Sequence, residues 1–171
     1  KSLLQRLVRN PMGATTGAIL LAIILVAGFA PLISGFDPAA TDTNNLMTGP
    51  GGAHLLGTDS AGRDVLARIF FGAQTTLISA VVVVVTSIAI GVPTGLIAGY
   101  YGGKFDGIAS WVANMFMSLP SIIVLLAVRA ALGPSILISM FFFGILIAPG
   151  FYRLTRTAVM SVRNRSEEHT S

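Results

Sequence analysis

The chain alternates long apolar stretches with short polar segments, a pattern typical of several membrane-spanning helices. The first stretch, residues 13–33, contains no charged residue and is long enough for one crossing, which takes about 20 residues. Three later stretches are also uncharged: residues 69–103, residues 107–128 and residues 136–152. The pattern therefore predicts an all-α fold, that of a polytopic helical membrane protein with about four transmembrane helices.

Composition supports a membrane protein and excludes several other classes. Hydrophobic residues make up 53% of the 171 residues and charged residues only 11%, whereas soluble domains contain about 25% charged residues. The net charge of +4 does not predict a nucleic-acid partner, because the basic residues lie between apolar stretches, where a positive excess sets membrane orientation. The absence of cysteine excludes a disulfide framework, thiol catalysis and cysteine-ligated zinc.

The distribution of charge predicts which segments face the cytoplasm. Residues 1–10 and residues 153–163 each contain three basic residues and no acid, so both are expected in the cytoplasm. Residues 1–10 are also expected to lie along the membrane surface. A cleaved secretory signal peptide is disfavoured because further spans follow the first. Residues 34–74 carry four acids and two bases and are therefore expected to form an outer loop.

Within this outer loop, residues 54–77 combine four charges with an apolar helical pattern. Asp59 or Ser60 is predicted to cap a helix by accepting from its first backbone N–H groups. Asp64 precedes Arg68 by four residues, and the two are predicted to form an ion pair of some ~0.2–0.5 kcal/mol. Apolar residues at helical spacing predict a short amphipathic outer-face helix that runs into the second span: Val65, Leu66, Ile69 and Phe70. The charged residues are expected to point away from this apolar face.

Glycine and proline crowd the inner end of the second span, at Gly91, Pro93, Gly95 and Gly99, and Pro120 interrupts the third apolar stretch. Proline tends to kink a membrane helix, and small residues permit close contact between helices. Two interpretations of these five residues stay open. They form a hinge or a bend that lines a pathway, or they serve helix packing alone.

No set of side chains predicts an enzyme. The two histidines, His54 and His169, are far apart, and His54 is interpreted as a loop residue rather than a metal ligand. The segment around Lys104 lacks the spacing of a phosphate-binding loop. The interiors of the predicted spans contain no acid, base or histidine, which disfavours a proton-relay transporter. We therefore expect no catalytic residue, no metal site and no cofactor in this chain.

Four stretches together resemble one protein family: RNPMGATTGAILLAIILVAGFAPLISGFDP, HLLGTDSAGRDVLARIFFGAQTTL, GLIAGYYGGKFDGIASWVANMFMSLPSI and PGFYRLTRTAVMSVRN. The family is the permease subunit of peptide-type ABC importers, the dipeptide, oligopeptide, nickel and glutathione group, and within it the shorter of the two permeases. The most specific block covers residues 56–68. Its candidates for a structural role or a partner contact are Leu56, Gly57, Thr58, Asp59, Gly62, Arg63, Asp64 and Arg68.

The resemblance implies a transport function and a set of partners. Such a permease pairs with a second homologous permease subunit in the inner (cytoplasmic) membrane of a bacterium or archaeon. Two ATPase subunits on the cytoplasmic side bind ATP, and an outer solute-binding protein delivers a peptide or a similar small solute. The permease itself breaks no bond, contacts membrane lipid and is implied to bind no nucleic acid.

The resemblance also implies that the family pattern is incomplete here. The family has six spans, and its cytoplasmic coupling loop is expected just after Asn164, where the chain instead reads RSEEHTS. Residues 165–171 are predicted to be a non-native tail, a hypothesis that sequencing the source locus would test. The predicted organisation has three further parts: a cytoplasmic segment with the first span (residues 1–33), the outer loop (residues 34–74), and a transmembrane core of three helices (residues 75–164).

Two alternatives to an importer permease remain open at this point. A secondary transporter would need no ATPase, and an ion-coupling carboxylate in downstream sequence would support it. A purely structural membrane subunit would leave ATP-dependent uptake unchanged when the gene is removed. The transported solute itself is not predicted by these motifs.

Overall fold

The computed structural model describes the backbone of residues 10–170 and the side chains of residues 10–163. The chain divides into two compact units, one ending at Ile78 and the other beginning at Ser79. The predicted surface segment before Asn10 lies outside the described residues. Six helices occur in the described part of the chain: α1 Pro11–Gly28, α2 Ala30–Ile33, α3 Val65–Tyr101, α4 Gly103–Ser118, α5 Ser121–Leu132 and α6 Ile136–Thr170.

Helix α1 corresponds to the first predicted span. The side chain of Asn10 accepts from the backbone N–H of Met12 at 3.1 Å and caps the helix, while Pro11 occupies its first turn. The helix ends at Gly28, and Phe29 separates it from the short helix α2. The first span is therefore confirmed, with a break near its C-terminal end that the apolar pattern did not indicate.

Helix α3 joins the predicted amphipathic helix and the second span into one element. Its 37 residues correspond to about 55 Å at 1.5 Å per residue, well beyond the roughly 30 Å hydrocarbon core of a bilayer. Only a short turn separates α3 from the next helix. Positive φ angles of 64° and 61° at Gly102 and Gly103 reverse the chain within about one residue, so α4 begins directly at Gly103.

Helices α4 and α5 correspond to the third predicted span, which is sharply bent. The two helices meet at an angle of 83° across Leu119 and Pro120. Because proline disfavours a helical conformation in the preceding residue, Leu119 is extended (φ −82°, ψ 129°) and α4 stops at Ser118. By length and composition, three helices are able to cross a membrane, or four when this bent pair counts as one crossing.

The contact between α3 and α6 indicates that the bent pair is a crossing. Paired positions on the two helices stay 57 residues apart along the whole contact: Ser87 with Gly144, Gly91 with Ala148, Gly95 with Tyr152, and Gly99 with Arg156. A constant offset means that α3 and α6 run in the same direction. Two parallel spans require a return crossing between them, so α4 and α5 together traverse the membrane. The count of about four spans follows.

The buried core of the second unit is small and built mainly from small residues. Ala98 of α3, Ala113 of α4 and Tyr152 of α6 form its centre, and both α4 and α5 pack against α6. Most large apolar side chains on these helices are exposed instead. Such an exposed apolar surface suits lipid or another membrane subunit rather than water.

Candidate functional site

The carboxylate of Asp59 lies at the centre of the loop between α2 and α3, which we call the outer loop after its predicted side of the membrane. Its Oδ1 accepts from the backbone N–H groups of Ala61 at 2.8 Å and Arg63 at 3.0 Å, and its Oδ2 accepts from Arg63 Nε at 2.9 Å and from Arg68 Nη1. Burial opposes ionisation, but these donors outweigh it and lower the pKa of Asp59 to about 2. The carboxylate is therefore fully ionised near neutral pH.

Two glycines of the motif bring separate segments of this loop into direct contact. Gly62 has a φ of +74°, and a Cβ placed on it would lie 1.8 Å from the carbonyl oxygen of Asp42. Gly57 has a φ of +75°, and its Cβ would lie 2.3 Å from the carbonyl oxygen of Thr48. Both the backbone conformation and the lack of space therefore require glycine at these positions.

Thr58 links the same two segments through its backbone and its side chain. Its backbone N–H donates to Thr48 O at 3.0 Å, and its Oγ1 accepts from the backbone N–H of Thr48 at 2.9 Å. The same hydroxyl donates to the carbonyl oxygen of Asn45. The threonine side chain is thus satisfied as donor and acceptor while only 8% exposed. In contrast, Leu56 is 47% exposed.

The start of α3 differs from the prediction. The helix begins at Val65, and the residue before it, Asp64, accepts from the backbone N–H of Ala67 at 2.7 Å. Asp64 therefore caps the helix, and the assignment of the cap to Asp59 or Ser60 is wrong. The reason is that the side chain of Asp59 is already used by the tight turn formed by residues 59–63, which delays the helix.

The predicted ion pair between Asp64 and Arg68 is also wrong. Asp64 is only 4% exposed, and its Oδ2 accepts from Nδ1 of His54 at 2.9 Å. Burial raises the pKa of Asp64, but hydrogen bonds from Ala67 N–H and His54 lower it overall. Arg68 pairs with Asp59 instead. The side chain of Asp64 is thus buried, whereas the sequence pattern predicted that it would point away from the apolar face of the helix.

In the second unit, the glycines of α3 lie directly against the backbone of α6. A Cβ on Gly91 would lie 2.4 Å from Ala148 O, and one on Gly95 would lie 2.6 Å from Tyr152 O. Gly99 is equally close to α6, where a Cβ would approach Val159 to 2.8 Å. Pro93 lies on the exposed side of α3 and Pro120 at the bend between α4 and α5.

A polar cluster that the sequence analysis missed connects α4 to α6. Both carboxylate oxygens of Asp106 accept from the guanidinium of Arg156, through Nε and Nη2. Tyr152 donates its hydroxyl hydrogen to Asp106 at 3.1 Å and lies 2.8 Å from the hydroxyl of Ser110. One signal was available, because Asp106 is the only acid between Asp64 and Glu167.

Two further arginines of α6 donate hydrogen bonds to neighbouring helices. Arg163 Nη1 donates to the carbonyl oxygen of Tyr100 at 3.0 Å, near the end of α3. Arg153 donates to the side-chain oxygen of Asn114 on α4. Within the described residues, no group of three or more His, Asp or Glu side chains is placed to hold a metal ion. These arginine contacts therefore organise helices rather than a metal centre.

Comparison with known protein families accounts for most of the chain. Residues 91–170 match the family described as binding-protein-dependent transport system inner membrane component. Residues 1–50 match the N-terminal transmembrane domain of oligopeptide transport permease C. The chain belongs to the binding-protein-dependent permease family.

Individual curated permeases cover a longer part of the chain. A dipeptide transport system permease of Alkalihalophilus pseudofirmus is 36% identical over 159 residues, which is 93% of this chain and 52% of that protein. A dipeptide permease of Haemophilus influenzae is 36% identical over 90% of this chain and 54% of its own length. A glutathione permease of Pectobacterium atrosepticum is 32% identical over 89% and 51%, respectively. The chain thus spans about half the length of the curated relatives that it matches.

Family membership and the apolar helices together establish a multi-pass membrane protein. The spans occur in the order that the apolar pattern predicted. The residues of the outer motif lie in one folded loop, whereas the glycines of α3 lie in the other unit. The motif residues and the glycines of α3 therefore belong to separate parts of the structure.

Proposed function

We propose that this chain is the transmembrane part of an ABC importer that moves peptides or a similar small solute across the inner membrane. The observation that carries the proposal is the identity of 36% to a dipeptide permease across 93% of the chain. The related glutathione permease extends the solute class to other peptide-like molecules. In this role the permease provides a path through the membrane and breaks no bond itself.

The proposal includes partners and an orientation. A second homologous permease completes the pathway, two ATPase subunits bind ATP on the cytoplasmic side, and an outer solute-binding protein delivers the solute. The arginines at positions 153, 156 and 163 support a cytoplasmic location for the inner half of α6. With four crossings, the segment before α1 then also lies in the cytoplasm, and the Asp59 loop lies outside.

Uptake by intact cells tests the function. Removal of the gene should abolish uptake of a radiolabelled dipeptide or of glutathione, and re-expression of the complete gene should restore it. Vanadate should inhibit transport by the reconstituted system in proteoliposomes, because vanadate traps ABC ATPases. Uptake that continues without the ATPase subunits and stops when the proton gradient is dissipated would instead support a secondary transporter. Unchanged uptake after gene removal would contradict the proposal.

Single-cysteine labelling tests the orientation, because residues 1–171 contain no cysteine that would react with the label. Leu55 in the outer loop is 69% exposed, so Leu55→Cys should react with a membrane-impermeant maleimide added to intact cells. Ser161→Cys on α6 should react only after the cells are permeabilised. The reverse labelling pattern would contradict the orientation without affecting the proposed transport function.

A further inference from the structure

The charged end of α6 forms a small polar cavity with α4 that the transport proposal does not use. Its volume is about 310 Å³. The lining side chains are Ser110, Asn114, Tyr152, Arg153, Arg156 and Thr157. No residue of α3 belongs to this lining, although the backbones of Tyr152 and Arg156 also pack against the glycines of α3.

The side chains of this cavity carry more positive than negative charge. Arg156 is neutralised because both oxygens of Asp106 accept from its guanidinium. Arg153 is exposed and donates only to the neutral amide of Asn114. In the part of the chain that the structure describes, no carboxylate pairs with Arg153. The cavity therefore carries a net positive charge.

Hydrogen-bond donors are also in excess. The amide oxygen of Asn114 already accepts from Arg153, so the amide NH₂ of Asn114 and the other N–H groups of Arg153 are left to donate. The arrangement of a guanidinium beside an amide NH₂ suits a phosphate or carboxylate oxygen. An anion would thus complete the hydrogen bonding of this cavity.

The level of the cavity in the membrane indicates which kind of anion it binds. Arg153 is the first charged residue after the uncharged residues 136–152, which places its side chain near the level of the lipid headgroups. Two large apolar side chains that directly follow lining residues in sequence are exposed, Trp111 by 66% and Leu154 by 70%. Tryptophan is enriched at this level of the membrane, and both side chains offer surface to acyl chains.

We propose that the cavity between α4 and α6 binds the phosphate of an anionic membrane phospholipid, held by Arg153 and Asn114. Basic pockets between transmembrane helices on the cytoplasmic side bind such headgroups. The choice of leaflet rests on the proposed orientation, whereas the site itself rests on the geometry of α4 and α6. Bound lipid would occupy the groove between α4 and α6.

Lipid retention by the purified permease tests this site without requiring transport. The complete permease, assembled with its partners, is placed in nanodiscs of phosphatidylcholine with increasing phosphatidylglycerol, and retained lipid is measured by native mass spectrometry. The wild type should retain phosphatidylglycerol in preference to phosphatidylcholine. Arg153→Gln should weaken this preference about five-fold, the effect of one basic charge near a membrane surface.

Two further variants keep the result interpretable. Asn114→Asp preserves the size of the side chain and its acceptor for Arg153 but adds a negative charge, so it should weaken binding of phosphatidylglycerol at least as much. Lys104→Gln removes an exposed basic residue from the start of α4 that does not line the cavity, and it should leave binding unchanged.

Three outcomes would overturn the proposal. The first is equal retention of phosphatidylglycerol by the wild type, Arg153→Gln and Asn114→Asp. The second is an equal loss in Lys104→Gln, which would indicate a general charge effect. The third concerns free phosphate: if millimolar inorganic phosphate displaced phosphatidylglycerol from the wild type, the cavity would be a site for soluble anions rather than for lipid.

Discussion

The outer loop and the transmembrane unit are held together by different kinds of contact. In the outer loop, the side chains of the charged motif residues bond to groups 2 to 10 residues away, and the carboxylate of Asp59 accepts only from Ala61, Arg63 and Arg68. In the transmembrane unit, the partners on different helices are 39 to 63 residues apart. Local polar order therefore shapes the first region, and helix contact shapes the second.

Because of this difference, the two regions should respond differently to amino-acid substitutions. The outer loop depends on a few donors and on two glycines with positive φ, so it should lose order locally when one of them is replaced. The α3–α6 contact depends on the absence of side chains at several successive positions, so one added methyl group there should disturb the packing of whole helices.

The largest effect is expected at Gly95. Gly95→Ala should destabilise the permease by about 3 kcal/mol, the upper end of the usual range for overpacking, because its Cβ would lie 2.6 Å from the carbonyl oxygen of Tyr152 and force α3 and α6 apart. Gly150→Ala, on α6, is the matched control, since nothing lies within 4 Å of its Cβ. Unfolding in mixed micelles with rising SDS measures both. Equal stability of the two variants would show that close contact with α6 is not the reason for glycine at position 95.

The next effect is expected at the ion pair between α4 and α6. Asp106→Asn keeps the shape of the side chain but leaves Arg156 without its carboxylate, so it should cost about 1.5–3 kcal/mol, the range for hydrogen bonds to charged groups. The same unfolding assay measures it. Arg156→Lys should also destabilise, because lysine cannot make the paired contact. A double variant that exchanges the two charges should recover part of the loss, and no recovery would contradict a direct pairing.

A smaller and more local effect is expected in the outer loop. Gly62→Ala should open the loop, because φ is +74° and the Cβ would overlap Asp42. Gly52→Ala has a similar φ of +54° but nothing within 4 Å, so it isolates the cost of the backbone conformation, about 1–2 kcal/mol. Trypsin added from the outer side should cleave after Arg63 faster in Gly62→Ala than in Gly52→Ala. Equal cleavage rates would show that the contact with Asp42 contributes nothing.

The same contrast explains which features could be predicted from the sequence. The spans, the outer loop and the crowding of α3 by glycine follow from hydrophobicity and residue type, which act locally. The cap of α3 was misassigned because a helical spacing was applied to residues 59–64, where a tight turn precedes the helix. The pair of Asp106 with Arg156 was missed because nothing local indicates which helix lies beside α4. Only the fold places residues 50 positions apart in contact.

The smallest effect is expected from acid, and it tests the outer loop alone. The pKa of Asp59 is lowered from 3.8 to about 2, so its contribution to stability is complete above about pH 4 and is lost as the pH falls toward 2. Hydrogen exchange at the backbone amides of Ala61 and Arg63, which donate to Asp59, should therefore lose protection across this interval. In Asp59→Asn, the amide protection should be weaker at pH 5 and nearly constant down to pH 2. Protection that falls equally in both proteins would assign the acid effect to another carboxylate, because Asp64 also has a lowered pKa.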